Sequence, residues 1–463
     1  MKQKDKRKIL KQLSRSESAK AASALEKEFE NAEKLLSDTT DYYQLKETLE
    51  ELSIYGHRVA DGLIVAVSGL LERLQKAEFV TCEPDLAWSS PAEMQLRLTI
   101  EALELIQLFR FFNTIAVVET FLHFSEHDDQ NVATTAIDGL KKSAAYDIDI
   151  FYVGESRAGL GATPQLEIIS YLEANLVKFA HQHIKAVQCL CGELLSPTME
   201  GTSWDYKTVT LSSGAIPVCD ATIEVRRRTI NFLKKIYHAE RPVPERISLI
   251  RTVMTSMEVP RRPKYGDDLK NMITSDSLEV LNWLASLVYQ ETFPVLQKIE
   301  HDVYWRYYHG ISDDVMKSCL AIRDALHENV EYQIYRNLIG FESIFEDWEQ
   351  SLTSERDYSS IDNERRQKAS EYVHEINENN WSEWKERIFE FCKTESRDLA
   401  TFPIFYEFLE EFAELRPKFA FELASEHLDQ VERFTIPIYR GLWRTSFRDE
   451  CRALAMWKLI KSY

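Results

Sequence analysis

A chain of 463 residues with only 14 glycines and 13 prolines has few of the residues that turn a backbone sharply. Each makes up about 3% of the sequence, where average chains carry roughly 7% and 5%. Sandwiches, barrels and propellers place Gly and Pro in their many tight turns, so the shortage argues against an all-β fold. It argues equally against collagen-like or low-complexity chains. The 44% hydrophobic and 11% aromatic content supplies a core and excludes global disorder. An all-α fold is the expectation, built from helices whose apolar residues form stripes.

The stripes are present. Between Asn131 and Ala145, residues Val132, Ala136, Ile137, Leu140 and Ala144 share one helical face. Ile223, Val225, Ile230, Phe232, Leu233 and Ile236 form a second stripe, and Ile247, Ile250, Met254 and Met257 a third. The stretches 17–37, 41–54, 58–77, 92–125, 165–195, 276–308, 313–350, 362–393 and 403–460 are patterned alike. Short breakers divide them: Glu126-His127-Asp128-Asp129, Glu240-Arg241-Pro242-Val243-Pro244 and Arg416-Pro417. They predict helix pairs at 108–125 with 130–146, 221–238 with 244–257, 277–289 with 292–308, and 403–415 with 417–429.

Each pair spans about 35–45 residues and so resembles the HEAT and armadillo repeats. No fixed Pro, Asp and Arg set recurs from unit to unit. The resemblance implies an elongated α-solenoid of stacked antiparallel helix pairs, after a less regular helical N-terminal region. A narrower resemblance rests on Glu224-Val225-Arg226-Arg227-Arg228, Val288-Tyr289-Gln290, His301-Asp302-Val303-Tyr304-Trp305-Arg306, Leu415-Arg416-Pro417-Lys418 and Gly441-Leu442-Trp443. These segments look similar to the helical-repeat regions that follow the P-loop module in bacterial STAND-type NTPases, several of which act in antiphage defence. That resemblance implies a component of a multi-protein defence assembly, although no NTPase module is visible in this sequence.

Two segments interrupt the helical pattern. Tyr152 to Pro164 contains Gly154, Gly159 and Gly161, and Thr202 to Pro217 contains the alternating Val209-Thr210-Leu211 before Ser212-Ser213-Gly214. Both predict long loops, the second extended or a short hairpin. The expected organisation is therefore an N-terminal helical region with a basic arm at 1–151 and a loop-interrupted helical segment at 152–218. HEAT-like repeats at 219–350 and acidic, aromatic-rich helical repeats at 351–463 follow.

Charge is distributed unevenly. The chain carries 56 Lys and Arg against 75 Asp and Glu, a net −19, which disfavours general contact with nucleic acid or anionic membranes. Met1 to Ser16 nevertheless holds seven basic residues and one Asp, either a solvated helix start or a basic arm. From Glu224 to Lys264 eleven basic residues stand against four Glu. Within this island Arg226, Arg227, Arg228, Lys234, Lys235, Arg261, Arg262 and Lys264 are the candidate binding residues. A protein partner is expected, with nucleic acid as a second candidate; the alternative is a solvated face paired with acidic neighbouring repeats. Phe341 to Gln430 carries 23 acidic and ten basic residues among interleaved Trp and Phe, either an aromatic core or a docking surface.

Catalytic signatures are weak. Gly154-Glu155-Ser156-Arg157-Ala158-Gly159 has phosphate-loop spacing, but Leu160 stands where the phosphate-binding Lys is needed, so nucleotide hydrolysis is rejected. His127-Asp128 and His301-Asp302 resemble the HD dipeptide of helical metal-dependent phosphohydrolases and nucleases, which makes these four residues the alternative metal site. His123, His181, His183 and His309 would have to converge on them. Against that, an Asp in a helix-hairpin turn is also an ordinary cap. The seven cysteines (82, 189, 191, 219, 319, 392 and 451) match neither a disulfide framework nor zinc spacing and fit a reducing cytoplasm. No run of about 18 apolar residues predicts a membrane span. No cofactor and no small-molecule substrate is evident. The final residues, Asp449 to Tyr463, read as a helix that continues onto a partner or docks.

Overall fold

The computed structural model describes residues 3–76, 79–81, 89–152, 159–204, 209–260, 265–340, 345, 348–349, 358–396, 398 and 400–445. The phosphate-loop lookalike at 153–158, the boundary expected at 351, Cys82, Cys451 and the helix expected at 449–463 lie outside them. The fold is predominantly helical, as expected, with one three-stranded sheet. It divides into two compact units: residues 1–241 with 248–277, and residues 242–247 with 278–463. The loop segments at 152–218 therefore fall inside the first unit.

The first unit begins with α1 (Gln3–Arg15), α2 (Ala19–Asp38), α3 (Tyr42–Tyr55), α4 (Ala60–Leu74), α5 (Pro91–Leu108), α6 (Thr114–Phe124) and α7 (Gln130–Ala144). Then come β1 (Tyr146–Asp147), α8 (Ile148–Phe151), α9 (Thr163–Ala174), α10 (Leu176–Phe179), α11 (Ile184–Leu194), β2 (Thr198–Trp204), β3 (Val209–Ala215) and α12 (Asp220–Ile236). Packing follows a two-row order: α1, α3, α5, α7 and α11 each contact the next, and so do α2, α4, α6 and α9. Apolar side chains such as Leu45, Leu63, Leu98, Val117, Val132 and Leu190 fill the space between, all essentially without exposure. From Gln3 the basic N-terminal stretch is helical and packs against its neighbours. Leu10 is buried, Lys6 meets Glu51 at 2.8 Å and Arg7 pairs with Glu50.

Two helices, α13 (Val243–Met254) and α14 (Asp267–Leu287), are divided between the units. The second unit continues through α15 (Phe293–Tyr308), α16 (Asp313–Glu328), α17 (Val330–Ile339), α18 (Tyr358–Glu375), α19 (Trp381–Cys392), α20 (Pro403–Leu415), α21 (Pro417–Glu426), α22 (Leu428–Val431) and α23 (Thr435–Arg444). Here α15 packs on α16, and α20 is the centre, contacting α17, α18, α21 and α23. Gly441 makes the α20–α23 approach close: a Cβ there would collide with the Glu410 carbonyl oxygen. Gly139 does the same for α6 and α7, where a Cβ would enter the Phe121 ring.

Scarce proline marks helix starts, where its missing N–H costs nothing. Pro91, Pro164, Pro294, Pro403 and Pro417 all occupy the first or second helical position. Helix ends are handled differently. A left-handed C′ glycine is the usual terminator, yet among the described residues only Gly161 (φ 58°) and His183 (φ 56°) have positive φ, and neither directly follows a helix. Arginines from elsewhere supply the donors instead. Arg58 donates to the Ser14 carbonyl of α1 at 3.1 Å, and Arg73 to Leu36 and Thr39 at the end of α2. Arg226 serves Leu195 after α11 and Ser256 after α13. Arg365, Arg416 and Arg433 cap α17, α18 and α19 through Asn337 (3.0 Å), His374 (2.9 Å) and Thr394 (3.0 Å).

These caps also explain where apolar runs break. The run at 92–125 is expected to be one helix, but α5 stops at Leu108 and α6 begins at Thr114. Asn113 caps α6, and Arg110 bonds the carbonyls of Gln107 (3.2 Å) and Lys142 (3.1 Å). Similarly, Asn329 accepts from Tyr332 N at 3.1 Å and splits the run at 313–350.

Arg226→Met removes both carbonyl donors and the guanidinium that meets Asp276 at 2.8 Å in a fully buried position. It is expected to cost ~3–5 kcal/mol, measured by urea unfolding. Arg58→Met, at an exposed position, is expected to cost only ~1 kcal/mol. Equal losses for the two would contradict this account.

Candidate functional site

The basic island separates into an inner and an outer set. Arg226 was expected at a binding surface, but it has no exposure; its guanidinium holds Asp276 and the carbonyls of Leu195 and Ser256. The helical stripe explains this. Position 226 adjoins Val225 and lies four residues from Ile230, so it points inward with them. Arg228 is half-buried and bonds Glu173 (3.1 Å) and Ser170 (3.0 Å). The Glu173 carboxylate raises the Arg228 pKa, outweighing a lowering by burial. Arg241 bonds the carbonyls of Ile236 and Ala180, and buried Arg246 bonds Glu291 and Thr292.

The outer set is smaller. Arg227 is 59% exposed and pairs with Glu224 one turn away, Lys235 and Arg251 are exposed, and Lys234 is half-buried. Arg227 and Lys234 lie a heptad apart on one ridge of α12, with exposed Ile223 a turn before them. Arg261, Arg262 and Lys264 lie outside the described residues.

The HD pairs occupy different units and different settings. His127-Asp128 lies in the turn between α6 and α7; His127 Nδ1 accepts from the Asp129 backbone N–H at 3.0 Å, and Asp129 caps α7. His301-Asp302 lies on α15, where Asp302 meets Lys298 at 2.8 Å. His301 contacts the Trp305 ring, which stacks on His309 at 5.9 Å. Among the described residues no group of three or more His, Cys, Asp or Glu is arranged to hold a metal ion.

The turn pair does border an open groove of about 660 Å³ in the first unit, a feature that sequence patterning did not reveal. Leu74, Leu96 and Phe124 form apolar wall, and Gln75, His123, Glu126, His127 and Asp128 form polar rim. Gln95 braces its floor, donating to the carbonyls of Leu74 and Lys76 and accepting from Phe79 N (3.1 Å) and Val80 N (3.3 Å). Gln75 meets His123 at 2.7 Å. Glu126 reaches α11, where His183 holds its strained positive φ; the carboxylate accepts from His183 N at 3.1 Å and lies 3.2 Å from its Nδ1. The only sequence hint of this groove was the polar turn itself.

The acidic, aromatic-rich stretch is core rather than docking surface. Trp384, Phe391, Phe405 and Phe408 are buried, and Trp381 lies between the rings of Phe419 (4.7 Å) and Phe412 (5.6 Å). Tyr406, in the same stretch, is exposed. Cys191, Cys319 and Cys392 are similarly interior. Burial pushes the Cys191 pKa up, and those of Cys319 and Cys392 up to about 12. No protein-family model matches the chain, and no curated protein is similar to it in sequence.

Because only thiolate is nucleophilic, alkylation at mildly alkaline pH is expected to modify exposed Cys219 at least ~10-fold faster than Cys191, Cys319 or Cys392. Peptide mass mapping reads the rates, and urea is expected to abolish the difference. Equal rates in the native protein would show that these cysteines are not shielded by the fold.

Proposed function

We propose that the chain is a non-catalytic helical-repeat scaffold that binds another macromolecule through the solvent side of α12. The observation carrying this reading is the two-row packing of the first unit, in which each helix contacts the next member of its row. HEAT-like stacks grow in this way, burying apolar stripes between neighbours and leaving long helix faces for partners. On α12 those faces carry Arg227, Lys234 and Lys235. The Arg227–Glu224 pair is surface-exposed and weak, so it exchanges readily for a partner's carboxylate. An acidic protein segment is the partner favoured, since net −19 opposes a long nucleic-acid contact. The resemblance to STAND-type helical regions is the reason to propose a cytoplasmic bacterial defence assembly as the setting of such a scaffold.

A second reading draws on the groove. His123, Glu126, His127 and Asp128 share its rim, and a metal-dependent phosphohydrolase or nuclease would use such groups. His301 and Asp302, the other half of the expected ligand set, belong to the other unit.

The test is the double variant Arg227→Glu/Lys235→Glu, tagged and recovered from the native host. Partner recovery is expected to fall at least ~10-fold, the effect of about 1.4 kcal/mol, with the melting temperature unchanged. Full recovery would reject the α12 surface. Manganese-dependent cleavage of a phosphodiester that vanishes in His127→Ala would replace the scaffold by the enzyme.

A further inference from the structure

Strand β3 is a sheet edge that carries no Lys, Pro or bulge of its own. The sheet order is β1-β2-β3, so β3 pairs on one side only. Natural edge strands are blunted by Lys, Pro, bulges or a covering element, because unpaired backbone groups otherwise recruit another strand. Val209-Thr210-Leu211-Ser212-Ser213-Gly214-Ala215 has no charge and no proline. Its register with β2 runs unbroken from Trp204↔Val209 to Thr198↔Ala215, so there is no bulge. Thr210, Leu211, Ser212 and Ser213 are all exposed, and Leu211 is 79% exposed.

The register also shows which groups are unpaired. Ile216 N donates to Pro197 O at 3.0 Å, which makes 197 and 216 a hydrogen-bonded pair. Antiparallel ladders alternate, so Gly214, Ser212 and Thr210 bond to β2, while Val209, Leu211, Ser213 and Ala215 turn their N–H and C=O outward. Among the described residues no hydrogen bond to these outward groups occurs. Met199 is buried, so its face of the sheet meets the core. Glu200 and its cross-strand neighbour Ser213 therefore belong to the opposite, solvent face, and Leu211 shares it.

We propose that β3 is a homodimer edge, pairing antiparallel with β3 of a second copy of this chain about a two-fold axis at Ser212. In that register Leu211 faces Ser213 of the second copy and Val209 faces Ala215. All four outward residues are used in each chain, giving about eight main-chain hydrogen bonds. The two Leu211 side chains become diagonal neighbours on one face, at roughly 7–8 Å, which gives each exposed leucine an apolar contact. The strand itself is neutral, so two copies approach along it without opposing carboxylates in the strand, and the net −19 of each chain keeps the association weak. Glu200, on the neighbouring strand, stays about 14 Å or more from its counterpart, three strand spacings away and beyond the screening length. One seven-residue edge buries less than the ~1,200 Å² of a standard interface, so the dimer forms and dissociates with concentration.

Sedimentation velocity of the full chain across a wide concentration range tests this. The mass is expected to rise from 54.0 kDa toward twice that value and no further, because an isologous edge closes on itself. Leu211→Pro and Ser213→Pro each remove an outward N–H without touching the β2 ladder, and each is expected to weaken dimerisation at least ~10-fold with unchanged helicity and melting. Leu211→Lys keeps every backbone donor and is expected to weaken it through like charge. A single-chain mass at every concentration, open-ended association, or a dimer indifferent to all three variants would overturn the proposal.

Discussion

The fold depends on how helix C-terminal carbonyls are satisfied. Every helix ends with acceptors that no intrahelical N–H reaches, and burying them bare is costly. Glycine in the left-handed conformation usually solves this, but here that conformation is absent from the described helix ends. Arginine fills the role. Its planar fork reaches two acceptors at once, its charge complements the negative end of the helix, and its long side chain lets the donor come from another helix. The glycines are spent elsewhere, at crossings such as Gly139 against Phe121 and Gly441 against Glu410.

This use of arginine changes what a basic cluster means. The excess of positive charge between 224 and 264 suggests a surface for anions, yet much of it is turned inward. Arg226, Arg228, Arg241 and Arg246 hold carbonyls or carboxylates, leaving Arg227, Lys234, Lys235 and Arg251 as the outward charge on the described part. An arginine adjoining an apolar stripe is geometrically committed to the interior. Residue counts alone cannot separate the two populations, because neighbours on one helix, such as Arg226 and Arg227, belong to different ones.

Much of the architecture was legible because it is local. Helical spacing marked most helices, the polar turn at 126–129 marked the α6–α7 connection, and Val209-Thr210-Leu211 announced the strand that became β3. The Trp and Phe residues of the acidic stretch were compatible with either core or surface, and burial against Phe412 and Phe419 settled Trp381 as core. What could not be read is long-range. Asp276 lies 50 positions from Arg226, and nothing near Phe109 signalled that Arg110 would reach the Lys142 carbonyl and end α5. The groove was hidden for the same reason, since Gln95 braces it across a segment whose own residues carry no pattern.

Caps supplied from another helix also restrict how such a chain can be rearranged. A helix closed by its own C′ glycine carries its terminator with it and can be duplicated or exchanged as a cassette. Here α1 relies on Arg58, α2 on Arg73 and α18 on Arg416, each some 40 positions away. Copying one helix pair without its donor would export a helix with bare carbonyls, and inserting a pair between donor and acceptor would separate them. Each unit is therefore bound to its particular neighbours, and its residues drift to suit those neighbours rather than a shared consensus. Helix pairs capped this way can keep their packing without sharing a sequence pattern.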